Sequence, residues 1–350
     1  MADFLAVNGI GGGSTEASHR GWFDVEGYSY DVSLPVDPVG GGGGAGGRPQ
    51  FSPLAVNLEL GTGLTDLLAA VTTGRVIPSA RLESTTDQGD AVYDLTLGNV
   101  LVSGLHDEAG SADRLRLDYS AFDLTTRAQT PTGQLGPAES FSFDLATAQA
   151  GVSVPAPVVG TSGGGVPTPS RFFLLVEGIG GDSTEAAHQG WFDIEGYSYD
   201  VSLPVGPVGG GGGTGDRPQF SPLAVNLDLD TGLAGLLAAA ATGRVIPSVR
   251  LDGVTDQGDV VYSLTLSGVL VAGLHDEAGP GDRLSFSYER FELTTRALSE
   301  TGELGVPQSF MFDLRTAQAA FAEFLPAAST DASDQAPGGQ AASAADYLFA

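Results

Sequence analysis

The chain contains no cysteine and no lysine. The first absence excludes disulfides and thiolate-bound metals. The second leaves arginine as the only permanently cationic side chain, fifteen residues against 43 acidic ones, for a formal net charge of −28. Such a charge repels nucleic-acid phosphates and anionic membrane surfaces, so neither is an expected partner. Nowhere do eighteen apolar residues run together, which argues against a transmembrane helix and membrane insertion. The start MADFLAVNGIGGG lacks the basic and long apolar segments of a cleaved signal peptide, so a protein that leaves the cell is expected to do so by another route.

What the chain does have is a duplication. Residues 4–150 return at 173–319 with a constant offset of 169 residues, no gap, and about seven positions in ten identical. A period this long is a domain duplication, not a solenoid. The expected organisation is a first domain over 1–150, a linker over 151–170, a second domain over 171–321 and a tail over 322–350. The linker, GVSVPAPVVGTSGGGVPTPS, reads as a flexible coil averaging roughly 25 Å end to end. The tail has no arginine and is rich in Ala, Ser, Gly and Pro. It is expected to be disordered and acidic.

The stretch Ser14–Val36 recurs almost unchanged at Ser183–Val205. Phe23 and Val25 alternate with Asp24 and Glu26, the pattern of a strand with one face buried. After Gly27 the phase slips, and Tyr28, Tyr30 and Val32 take the parity of the carboxylates. Gly27, like Gly196 in the second copy, is therefore expected at a β-bulge or barrel corner of a long bent strand.

Leu64, Leu67, Leu68 and Val71 fall on one helical face and predict a helix over Leu64–Thr73, with Thr62 or Gly63 as N-cap and Gly74 beyond its end. The second copy repeats it over Leu233–Thr242, ending at Gly243. Strands are expected over Phe4–Val7, Phe51–Leu60, Val76–Glu83, Ala91–Leu97, Val100–Leu105, Arg114–Thr126 and Ser140–Leu145. One helix among many short strands predicts a mainly β fold, a sandwich or barrel with the helix at its side or end.

Candidate chemistry is thin. His19 and His188 precede Trp22 and Trp191 by three residues, which could suit metal ligation or acid–base work. No second ligand keeps a metal-site spacing, so a histidine pinning loop to strand by a hydrogen bond is the better reading. His106, Asp107, Glu108 and Asp113, with His275, Asp276, Glu277 and Asp282, form the densest polar loops. Calcium could use such oxygens in a calcium-dependent binding module, but no calcium-loop spacing occurs and a solvated loop is favoured. The glycine run Gly40–Gly44 opens toward a strand through Arg48-Pro49-Gln50, not toward the helix a phosphate loop needs. No Ser/His/Asp set sits in a nucleophile-elbow context. A non-enzymatic protein without cofactor or metal is expected.

The ordered motifs GIGGGSTEASHRGWFDVEGYSYDVS, FSPLAVNL, LLAAVTTGRVIPSARL, YDLTLGNVLVSGL and TGQLGPAESFSFDL resemble the Hcp family, the haemolysin-coregulated proteins of the type VI secretion inner tube. The resemblance covers nearly all of both copies. It implies two tandem β-barrel domains of two curled sheets, each with one lateral α-helix, in a chain made in a bacterial cytoplasm and secreted. It also implies self-association into hexameric rings that stack into a tube, with three two-domain chains supplying six domains. Contacts between rings would fall on the loops carrying Val36, Pro38, Gly40, Gly44 and Arg48, and Val205, Pro207, Gly209, Gly213 and Arg217. His19, Trp22, Gly27, His188, Trp191 and Gly196 would be structural. The ending Asp346, Tyr347, Leu348, Phe349, Ala350 is similar to a type I (ABC-transporter) secretion signal. That likeness implies an alternative, an extracellular fibre or surface-layer component exported by that secretion machinery.

Overall fold

The computed structural model describes residues 1–33, 49–109, 112–129, 134–160, 165–204, 217–229, 231–276, 281–298 and 303–323. The first copy comprises β1 (Ala2–Val7), β2 (Phe23–Ser29), β3 (Val32–Ser33), β4 (Gln50–Phe51), β5 (Leu54–Leu58), α1 (Leu64–Thr73), β6 (Val76–Thr85), β7 (Ala91–Glu108), β8 (Asp113–Asp118), β9 (Ala121–Gln129), β10 (Leu135–Asp144) and β11 (Gln149–Ala150). The second comprises β12 (Arg171–Val176), β13 (Phe192–Ser202), β14 (Gln219–Phe220), β15 (Leu223–Leu227), α2 (Leu233–Thr242), β16 (Ile246–Val254), β17 (Val260–His275), β18 (Asp282–Ser287), β19 (Arg290–Leu298), β20 (Leu304–Asp313) and β21 (Gln318–Glu323).

Six strands of each copy close into an antiparallel barrel. In the first the circuit runs β1, β2, β5, β8, β7, β6 and back to β1. In the second it runs β12, β13, β15, β18, β17, β16 and back to β12. Of the sandwich and the barrel, the structure is the barrel, and closure removes the exposed edges an open sheet would keep. Strands β9, β10 and β11 extend the sheet from the first half of β7.

The bent strand has its register shift where the phase slip predicts one, between Val25 and Gly27 against β5 and between Ile194 and Gly196 against β15. Phe23 in the first copy and Phe192 and Tyr199 in the second are fully buried.

The helix occupies the predicted span in both copies. Gly63, at φ 81°, takes the N-cap, and Gly74, at φ 63°, donates its N–H to the Ala70 carbonyl. Both conformations are left-handed, which glycine adopts without steric cost.

Several expectations change. The strand expected over Phe51–Leu60 is two, β4 and β5, and that over Arg114–Thr126 is β8 and β9. In the first copy the long bent strand is divided into β2 and β3, and β3 pairs with β4 in a separate two-stranded sheet. The two strands expected over 91–97 and 100–105 are one eighteen-residue strand, with Asn99 at φ 49° inside it. The polar stretch from His106 is not all solvated loop: His106, Asp107 and Glu108 are the last residues of that strand, and Asp107 is buried. The linker is not a free coil either. Asn8 Oδ1 accepts from the Val158 N–H and the Gly9 N–H donates to the Val158 carbonyl, both at 2.8 Å. The Val166 N–H donates to Thr62 Oγ1, and the Ser170 N–H to the Val254 carbonyl of the second copy. The segment is laid along the first barrel before it enters the second.

Candidate assembly interface

β7 outruns its neighbour β6, whose last pair on that edge is Val76 with Leu101. A strand edge left bare exposes a row of unpaired N–H and C=O groups. Here β13 of the second barrel fills it, antiparallel, with Ser198 opposite Glu108, Tyr199 opposite Asp107, Asp200 opposite His106, Val201 opposite Leu105 and Ser202 opposite Gly104. α1 of the first barrel packs at the same time against β13, β19, β20 and β21 of the second. The two barrels therefore share a hydrogen-bonded strand pair and an apolar helix seat.

The polar centre of this contact is Asp107, only 4% exposed. Tyr262 Oη donates to its Oδ2 at 3.0 Å and Tyr197 Oη to its Oδ1 at 3.4 Å. The Tyr199 hydroxyl, beside the same carboxylate, is buried without a hydrogen bond of acceptable geometry. Loss of solvation pushes the Asp107 carboxyl upward against the tyrosine hydrogen bonds that pull it down. Asp113, which accepts the Leu60 and Glu108 backbone N–H groups, is pushed up to about 8 by burial and by the Asp107 charge. Nearer the rim, His106 Nδ1 lies 2.8 Å from Asp200 Oδ1 of the second barrel.

Each face of this contact has an uncovered counterpart. In α1, Leu68 is fully buried and Ala69 6% exposed, while in α2 the matching Leu237 is 54% exposed and Ala238 is open to solvent. On the receiving side Val201, Phe310 and Phe312 are buried; Val32 and Phe141, which match Val201 and Phe310, are 54% and 52% exposed. An apolar cavity of about 250 Å³ lies there, lined by Tyr30, Val32, Phe51, Phe122, Leu124 and Phe141 among others. The contact thus joins two different faces, and the counterpart of each in the other copy is uncovered.

His19 is buried elsewhere, stacked on Phe4 with centroids 4.0 Å apart and edge-on to Trp22. Its Nδ1 lies 2.7 Å from Glu16 Oε2 and its Nε2 3.0 Å from Glu83 Oε1. Arg81 reaches both Glu83 and Asp94 and lies over the Trp22 ring. In the second copy His188 stacks on Phe173, meets Trp191 edge-on, and contacts Glu185 and Asp252. These two clusters lie one in each copy and are not brought together. In each, Nδ1 closes the loop on a glutamate three residues earlier and Nε2 ties that loop to a strand of its own barrel, β6 in the first and β16 in the second. The His19 bond holds the Glu16 carboxyl below its ordinary value.

A second cavity, of about 1140 Å³, lies between the barrels and the linker and is lined by Glu59, Asp107, Glu108, Asp113, Arg171 and Tyr262 among others. Among the described residues no group of three or more His, Asp or Glu side chains could hold a metal, and no helix is long and apolar enough to cross a membrane.

Of the loop positions, Arg217 is exposed, and Val36, Pro38, Gly40, Gly44, Arg48, Val205, Pro207, Gly209 and Gly213 lie outside the described residues, as do Asp346 to Ala350. Sequence reasoning missed the helix faces and the tyrosine-bound Asp107. Matching residues within shared runs, such as the LLAA of both helices and the HDE that begins at His106 and at His275, are covered in one copy and open in the other, so those shared runs carry no local signal of which is covered.

Residues 4–126 and 173–294 match the family described as type VI secretion system effector, Hcp. No curated protein matches the chain. Among solved structures, a type six secretion system protein aligns at 18% identity with a TM-score of 0.40, covering 43% of this chain and 99% of that one. Hcp1 from Salmonella typhimurium aligns at 16% identity and TM-score 0.35, over 43% and 97% of the two chains. A type VI secretion system effector from Yersinia pestis aligns at 15% and 0.33, over 41% and 98%. With both barrels matched in sequence by one family, the chain belongs to the Hcp family of type VI secretion system effectors and carries that domain twice.

Proposed function

We propose that the chain is a non-enzymatic, self-assembling tube subunit in which three copies, six barrels in all, close a ring and rings stack. The observation that supports this most is the pairing of β7 with β13 beneath the docked α1, together with the uncovered counterparts of both faces at the two ends of the chain. A heterologous contact repeated between identical units closes into a ring or runs on as a filament. The apolar exposure of Leu237 against that of Val32 and Phe141 is what such a contact would remove from water. Stacking would fall to the loops after β3 and β13 and to Arg217.

Native mass spectrometry and negative-stain microscopy of the full chain test the reading. Particles of three chains with a central hole are expected. A single-chain mass at high protein concentration would overturn it, and an open-ended ladder of masses would replace the ring by a filament.

A further inference from the structure

The contact between the two barrels carries a polar lock whose two parts recur, separated, at the ends of the chain. Inside the chain, the lock is Asp107 received by the Tyr197 and Tyr262 hydroxyls, with the Tyr199 ring beside them. The positions that match the three tyrosines in the first barrel are Tyr28, Tyr30 and Tyr93, and the position that matches Asp107 in the second is Asp276.

The receiving cluster is already shaped. Tyr28 and Tyr93 pack with centroids 5.5 Å apart at 32°, close to the 5.4 Å and 30° of Tyr197 and Tyr262. Tyr93 Oη lies 3.3 Å from Tyr30 Oη. These three rings are only half-buried, whereas Tyr197, Tyr199 and Tyr262 are buried. Asp276, for its part, is exposed just after the last residue of β17, where Asp107 is buried in β7. Among the described residues β18 pairs with one edge of this end of β17, and no strand pairs with the other.

Resting on the ring reading above, we infer that Tyr28, Tyr30 and Tyr93 form a carboxylate-binding pocket whose ligand is Asp276 of a second copy of this chain. The strand pair that delivers it follows from the register inside the chain: Asp276 opposite Tyr30, His275 opposite Asp31, Leu274 opposite Val32 and Gly273 opposite Ser33. Leu237 enters the apolar cavity beside Phe141 in the same step. The apolar seat supplies burial, and the lock sets register, because a strand slipped by one residue would turn the carboxylate to the opposite face, away from the tyrosine hydroxyls.

The test is chain–chain affinity by sedimentation equilibrium, on the full-length protein and three variants. Asp276→Ala removes the ligand, Asp276→Asn keeps an acceptor oxygen, and Leu237→Asp spoils the apolar seat without touching the lock. Since Asp276 and Leu237 are exposed within one chain, all three are expected to melt with the parent, which thermal denaturation checks. Asp276→Ala is expected to weaken association roughly 10- to 100-fold, with Asp276→Asn between it and the parent. If Asp276→Ala stays within about twofold of the parent while Leu237→Asp abolishes assembly, the lock is wrong and the ring reading stands. A parent chain that never associates removes both.

Discussion

Leu68 and Leu237 occupy the same position of two helices with the same span, yet Leu68 is fully buried and Leu237 is 54% exposed. The difference is the neighbour: α1 lies on the second barrel, and α2 packs against its own β17. A leucine held half in water costs roughly 1 kcal/mol relative to burial, and the chain carries that cost on one side only.

Leucine truncation should therefore act on different properties at the two sites. Leu68→Ala is expected to lower stability by about 2–5 kcal/mol through the cavity it leaves, read by urea denaturation of the dilute chain. Leu237→Ala should leave that stability within about 0.5 kcal/mol and lower the association constant instead, read by sedimentation.

The chain has no cysteine, so introduced pairs report without background. His106→Cys with Asp200→Cys joins residues directly opposite in the β7–β13 pair and should oxidise within one chain. Asp31→Cys with His275→Cys should oxidise between chains, giving a covalent trimer on a non-reducing gel. Absence of the second product, with the first present, would argue against the repeated interface.

The paired carboxylates set a pH dependence. Asp113 is raised from 3.8 to about 8 and Asp107 is raised as well, each by burial and with Tyr197, Tyr199 and Tyr262 facing Asp107 across the barrels. A carboxyl raised on folding binds its proton more tightly in the folded state. Its contribution is complete below the ordinary carboxylate value and is lost as pH climbs toward 8. Thermal midpoints should thus fall between pH 5 and pH 8, with a slope of up to about 1.4 kcal/mol per pH unit for each proton. Asp113→Asn should flatten the profile; an unchanged slope would show that the pair is not its source.

His19→Ala removes a buried ring stacked on Phe4 and leaves Glu83 without its imidazole partner. A loss of about 2–4 kcal/mol in urea unfolding is expected. Adding zinc to the parent should not raise its melting temperature, which separates the packing role from a metal site.

Much was legible before folding because it depends on local chain chemistry. The four-residue rhythm of Leu64, Leu67, Leu68 and Val71 between Gly63 and Gly74 is enough to delimit a helix, since left-handed glycines end helices wherever they stand. The parity slip at Gly27 likewise shows a bulge, because alternation is a property of one strand. The 169-residue offset establishes two copies of one fold. What the tertiary structure alone decided is which copy of a residue is covered. His106-Asp107-Glu108 and His275-Asp276-Glu277 are the same three letters, and Asp107 is buried under three tyrosines while Asp276 stands in water. Burial is a relation between a residue and its neighbours in space, and identical segments acquire different environments once one barrel docks on the other.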